Sequence, residues 1–144
     1  MDDREMLDVR AFNARHNLLV NDAPTHVTKI KLNNQFKIMR EKLRLVADAA
    51  HEQDMVEQAQ TLVELVYSVK SVAVMLGLPW RALWDNTHLI MMAWPLPVES
   101  AYVERTAEIL QQAGYDRAAF THPSAPDVID ERFCDDERAT RLVP

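Results

Sequence analysis

Between Thr28 and Ala50 the chain reads TKIKLNNQFKIMREKLRLVADAA, and the spacing of its apolar residues decides the fold class. Leu32, Phe36, Met39, Leu43, Val46 and Ala50 recur at steps of four and three, the period of one face of an α-helix. Glu41, Arg44 and Asp48 fall on the opposite face, within roughly 60° of one another at about 100° per residue. The stretch predicts a long amphipathic helix that starts near Thr25 or Thr28 and ends near Ala50.

The flanking segments carry the same period. His51-Glu52-Gln53 leads to Asp54, which reads as an N-cap with Glu57 as its capping partner. The helix that follows runs to about Leu76 and stops at Gly77, a residue suited to the left-handed turn after a helix. Its apolar arc is Met55, Ala59, Leu62, Val63, Val66, Val69 and Ala73, and Glu57, Gln60, Thr61, Glu64, Ser68 and Ser71 form a polar stripe on the other side. Pro79 suits the first turn of a further helix, which ends near Trp94 ahead of Pro95 and Pro97. Ser100 to Ala113 reads as one more, closed by Gly114. Upstream, Met6, Val9 and Phe12 mark a helix over about 3–16, followed by a loop rich in Asn17, Asn21, Asp22 and Pro24. Past Phe120 lie Pro123, Pro126 and the acids Asp127, Asp130, Glu131, Asp135, Asp136 and Glu137, with too few apolar residues for a second core. The expectation is an all-α bundle of four to five helices over 1–120 and an acidic, proline-containing arm over 121–144.

Composition narrows the classes. In 144 residues, 22 Asp+Glu outweigh 16 Lys+Arg for a formal net charge of -6, which disfavours a nucleic-acid binder. Two glycines, Gly77 and Gly114, argue against a β-sandwich and a glycine-rich phosphate loop. One cysteine, Cys134, excludes an intrachain disulfide framework and a cysteine-rich zinc module. No basic start precedes an apolar run, and the longest apolar stretch, Val69 to Leu78, is broken by Lys70 and Ser71. A soluble cytoplasmic protein without membrane partners is expected.

Catalytic motifs are scarce. His16, His26, His51, His88 and His122 show no HExxH spacing, and the acidic surroundings of Cys134 oppose a thiolate. What remains is carboxylates on two consecutive helices: Glu41 and Asp48, then Glu57 and Glu64. If those faces meet across an antiparallel pair, the acids converge on a hard cation such as Mg²⁺; otherwise they are two solvated faces, with Glu57 a cap. Trp80, Trp84, His88 and Met91 share a stripe that reads either as a base-stacking wall or as core or interface. Of Arg40, Lys42 and Arg44, which could draw an anion, Lys42 is expected to point to solvent.

Three pieces together resemble a known family. They are Asp54 to Tyr67 (DMVEQAQTLVELVY), Leu76-Gly77-Leu78-Pro79 and Trp84-Asp85-Asn86-Thr87-His88, with Asp8 to Phe12 and the Asp22-Ala23-Pro24 loop upstream. Over about residues 5–95 the chain resembles the all-α nucleoside triphosphate pyrophosphohydrolases, in particular the MazG-like and phosphoribosyl-ATP pyrophosphohydrolase-like branch with its short phage-type members. The resemblance implies a helical bundle that forms a homodimer or higher homo-oligomer through its helices. It also implies Mg²⁺-dependent cleavage between α and β phosphates, with metal held by Glu-x-x-Glu on one helix and Glu-x-x-Asp on the next. Glu41 matches the first acid, but Arg44 stands three residues on and Leu45 after it. Glu57 and Glu64 match acidic positions, while Gln60 replaces an expected Asp. His88 fits the family's His; Met91 and Trp94 stand where an Asn and a Lys assist.

The expectation from these departures is a MazG-like relative with an eroded metal site, a weak or inactive nucleotide-binding or interaction protein. Arg44 is expected to pair with Glu41, Glu57 or Glu64 and so replace a lost ion. Residual metal ligands would be Glu41, Glu57 and Glu64, with Asp48 one turn along; His88, Arg44 and Trp84 would meet a nucleotide. The alternatives are an active Mg²⁺-dependent pyrophosphohydrolase and a structural helical subunit of a larger assembly.

Overall fold

Asp3 and Asp54 cap the starts of two helices and Gly77 the end of one in the computed structural model, which describes residues 3–93 and 99–116. Within these, α1 spans Arg4–Arg15, α2 Lys29–His51, α3 Met55–Leu76, α4 Trp80–Met92 and α5 Glu99–Gln112, with no strand among the described residues. The all-α expectation is met, and the helix bounds lie within a few residues of those predicted. The arm over 121–144, Trp94, His122 and Cys134 lie outside the described residues.

The three-residue turn Glu52-Gln53-Asp54 joins α2 to α3, with Gln53 in the left-handed region at φ 57°. So short a link folds the two longest described helices back on each other, and their contact is the most extensive among the described residues. Asp54 Oδ1 accepts from the Glu57 N–H (3.0 Å), as a cap should. The reciprocal half of the predicted box is absent, because the Asp54 N–H donates to the Ala49 carbonyl instead (2.9 Å).

At the other end of α3 all four terminal carbonyls find donors. Leu78 N–H reaches Ala73 (3.0 Å), Gly77 and Asn21 N–H reach Val74 (3.1 and 3.2 Å), and Thr25 N–H reaches Leu76 (2.9 Å). Met75 accepts from the Asn21 side-chain amide (2.6 Å). Three of these donors come from the loop after α1, so that loop caps α3 as a side chain would. Gly77 is required here: its φ is +67°, and a Cβ would lie 2.1 Å from the Ala23 carbonyl oxygen.

α1 crosses the C-terminal half of α3 through a polar joint that periodicity did not single out. Asn13, fully buried, donates to the Leu19 and Ser71 carbonyls (3.3 and 3.1 Å) and accepts from Ser71 Oγ (2.7 Å). Lys70, also buried, pairs with Glu5 and lies 3.7 Å from Asp3. Val9 is buried as predicted, whereas Phe12 sits at the edge with its ring against Tyr67 (centroids 5.2 Å apart, 86°).

Against the alternative of two solvated polar faces, α3 turns its hydroxyls inward and leaves much of its apolar arc exposed. Thr61 is 2% exposed and Ser68 is buried, while Met55 is 72%, Val63 67% and Leu62 52% exposed. Burying a hydroxyl face costs little here because each hydroxyl bonds its own helix: Thr61 Oγ1 to the Glu57 carbonyl (2.6 Å), Ser68 Oγ to that of Glu64 (3.1 Å). α3 is also, by length and composition, apolar enough to cross a membrane, with a mean hydropathy of 1.3 over its best window. The broken run Val69 to Leu78 did not predict that.

α4 and α5 form a second hairpin, tied by Thr87 Oγ1 and Tyr102 OH at 2.9 Å. Ile109 of α5 is buried, and Tyr115 beyond it reaches His26 of the loop after α1 (3.2 Å).

Candidate functional site

The α2–α3 hairpin carries the predicted acids, and they divide between two places. On α3 the polar stripe does face α2, so half of the condition for convergence is met. Glu64 forms an ion pair with Lys42 of α2 and accepts from Gln60 Nε2 (3.1 Å). Those two contacts, the lysine first, hold the Glu64 carboxyl below its ordinary 4.5, against a smaller opposing effect of burial. Lys42 therefore points across the hairpin, a correction to its expected solvent orientation. It lies one heptad from both Gln35 and Ala49, which are buried along the same line of α2.

On α2 the other acids point away. Glu41, Arg44 and Asp48 lie roughly 100–160° around the helix from Lys42. Arg44 makes a forked contact with Glu41 (Nη2–Oε1 2.6 Å, Nε–Oε2 3.3 Å) and reaches Asp48 through Nη1 (2.7 Å). The guanidinium lowers the Glu41 pKa from 4.5, and Glu41 in turn raises that of Arg44. Of the partners expected for Arg44, the structure selects Glu41 and adds Asp48, both on its own helix. Glu57 and Glu64 across the hairpin are not its partners, because the arginine lies on the outer side of α2.

An octahedral Mg²⁺ needs several oxygens converging on one point. Among the described residues no three or more His, Cys, Asp or Glu side chains are so placed. Glu41 and Asp48 share one guanidinium on the outside, and Glu64 holds an ammonium on the inside. The donor set does not fit the ion: a divalent cation would have to displace a side-chain cation at each of these acids.

The residues expected to meet a nucleotide are likewise apart. Arg44 is committed to its own helix, while Trp84 and His88 are exposed on α4. Trp84 and Met91 are exposed and Trp80 is half-buried, its ring tilted 33° to Trp84 at 6.4 Å. The α4 stripe is thus not core among the described residues. Trp80 lines a separate open cleft of about 710 Å³ between α1 and the start of α4. Its charged walls are Arg10 paired with Asp22 and Arg81 paired with Asp85, together with Asp3, so no positive excess awaits an anion.

Sequence reasoning missed Lys42, Asn13 and the buried hydroxyls. The signal for the hydroxyls was in the chain: Glu57, Thr61, Glu64, Ser68 and Ser71 recur at the same four-three steps as the apolar arc. Short Ser and Thr can satisfy themselves within a helix, so such a stripe is compatible with burial. No family model matches the chain, and no curated protein matches it.

Proposed function

We propose that this chain is a non-catalytic helical interaction protein, a MazG-like relative in which side-chain cations stand where the resemblance implies metal. One observation carries this reading: the Lys42–Glu64 pair joins α2 to α3 where the acids were to meet an ion. A fixed ammonium neutralises the inward carboxylate, and Arg44 does the same for Glu41 and Asp48 outside. Phosphoryl chemistry needs carboxylates free to hold ions against their hydration. Here Glu64 is held by an ammonium across the hairpin, and Glu41 and Asp48 by a guanidinium within α2.

The test is pyrophosphate release from a panel of nucleoside triphosphates with Mg²⁺ or Mn²⁺, alongside thermal melts with each nucleotide. The account expects no turnover. Stabilisation by a nucleotide without turnover would assign a retained binding role, since a ligand that prefers the folded state raises its apparent stability. Metal-dependent turnover abolished by Glu64→Gln would replace this reading with the active pyrophosphohydrolase.

A further inference from the structure

α2 carries a charge opposite to that of the chain. Over Lys29–His51 six Lys and Arg stand against two acids, although the whole chain has a net charge of -6. Lys42 turns inward to Glu64, and four of the other five form a row with Asn33. Lys29, Asn33, Lys37, Arg40 and Arg44 recur at steps of four, four, three and four. At about 100° per residue they fall within an arc of roughly 80° opposite Gln35, Lys42 and Ala49, in a row about 22 Å long. Asn33, Lys37, Arg40 and Arg44 are exposed. Arg44 is held by Glu41 and Asp48, whereas Lys37 and Arg40 meet no acid among the described residues. Beside the row, one heptad apart, are Phe36, half-buried, and Leu43, 59% exposed.

We propose that this edge of α2 docks an acidic amphipathic helix of a different protein, its carboxylates against Lys37 and Arg40 and its apolar residues against Phe36 and Leu43. The proposal rests on the interaction-protein reading and names the chemistry of the partner. Charge complementarity chooses the occupant: two exposed cations with no acid of their own attract carboxylates and repel a basic surface. The spacing chooses a helix, because a helix laid alongside α2 repeats its side chains at the period of the row and of the apolar pair. A nucleic acid fits less well, since its phosphates run on past the row into the field of an acidic chain. A bilayer also fits less well. An interfacial helix sinks an apolar side between flanking cations, and here the cations crown the helix with the apolar pair to one side.

The test is fluorescence anisotropy of a labelled peptide about 20 residues long, with leucine on one helical edge and glutamate on the next, titrated with the purified full chain. Saturable binding that weakens with salt is expected. Lys37→Glu combined with Arg40→Glu should weaken it by roughly tenfold or more, while Lys31→Glu, off the row, should leave it close to wild type. The glutamine counterpart of the peptide should not bind, which tests the proposal without altering the chain. No saturable binding by the wild-type chain, an equal loss with Lys31→Glu, or binding of the glutamine peptide would each overturn it. So would tighter binding of a uridine homopolymer or of phosphatidylserine vesicles at matched salt. Self-association abolished by Lys37→Glu with Arg40→Glu would overturn it too, by making a second copy the occupant. Triphosphate turnover alongside peptide binding would remove the non-catalytic half of the earlier reading and leave this site standing.

Discussion

Asn13 with Ser71, and Arg44 with Glu41 and Asp48, are both small polar clusters making three or more hydrogen bonds, yet they do opposite amounts of structural work. The first is sealed between α1 and α3, 58 residues apart in sequence, and every bond replaces one that water would have made. The second lies within one helix, with all three side chains more than half exposed. Burial turns an ordinary amide and hydroxyl into a joint whose loss leaves unpaired groups. Exposure leaves an ion pair that solvent screens and largely replaces. The Arg44 cluster, for all its charge, is therefore not what fixes the architecture.

Substitutions can break this contrast in order of expected size. Gly77→Ala closes the same α1–α3 region most severely: a left-handed φ and a Cβ 2.1 Å from the Ala23 oxygen should cost on the order of 3 kcal/mol or more in denaturant unfolding. Asn13→Ala removes the amide donor to the Leu19 and Ser71 carbonyls and the acceptor of the Ser71 hydroxyl, and should cost about 2–3 kcal/mol by the same measurement. Ser71→Ala, which leaves only the Asn13 oxygen unpaired, should cost about 1–2 kcal/mol. If either proved as mild as an exposed ion pair, the joint would not be what locks α1 to α3.

The charged pairs should respond through pH more than through stability. The Glu64 carboxyl sits below 4.5 in the folded chain, so its pairing stabilises above that value and is lost as pH falls through the lower folded one. Lys42→Met should move the Glu64 titration midpoint, followed by carboxyl ¹³C NMR, back up toward 4.5, with Gln60 still holding it slightly low. Wild type and variant should converge in melting temperature below the folded midpoint. Arg44→Ala should be smallest of all, raising the Glu41 midpoint while leaving the melting temperature close to wild type. A large loss of stability there would erase the contrast.

The helices were legible in the sequence because their stop and start signals are local: Asp54 offers a carboxylate to one turn, and Gly77 alone tolerates the left-handed bend at its place. The all-α reading of four to five helices needed nothing further. Which side of α3 faces inward was not legible, since its polar and apolar stripes share one period and both can be buried. Hydrophobicity alone favoured Met55, Leu62 and Val66 as core, whereas the chain buries Thr61 and Ser68 and leaves the apolar side exposed. The candidate site suffered from the same ambiguity. The sequence leaves Glu64 either facing α2 or solvated and offers Arg44 as a partner of Glu41, Glu57 or Glu64, whereas helical phase brings Lys42, two residues earlier, across the hairpin to Glu64. Asn13 was invisible because Ser71, which it both donates to and accepts from, lies 58 residues away on α3.

The claim on which the functional account turns is that lysine and arginine, not divalent ions, neutralise these acids. The direct measurement is a Mg²⁺ or Mn²⁺ titration of the full chain, followed by calorimetry and by the carboxyl resonances of Glu41, Asp48, Glu57 and Glu64. The account predicts weak, non-saturating heats and no selective shift at Glu64 unless Lys42 is first replaced. A saturable site in the wild-type chain that moves Glu41, Glu57 and Glu64 together would contradict it.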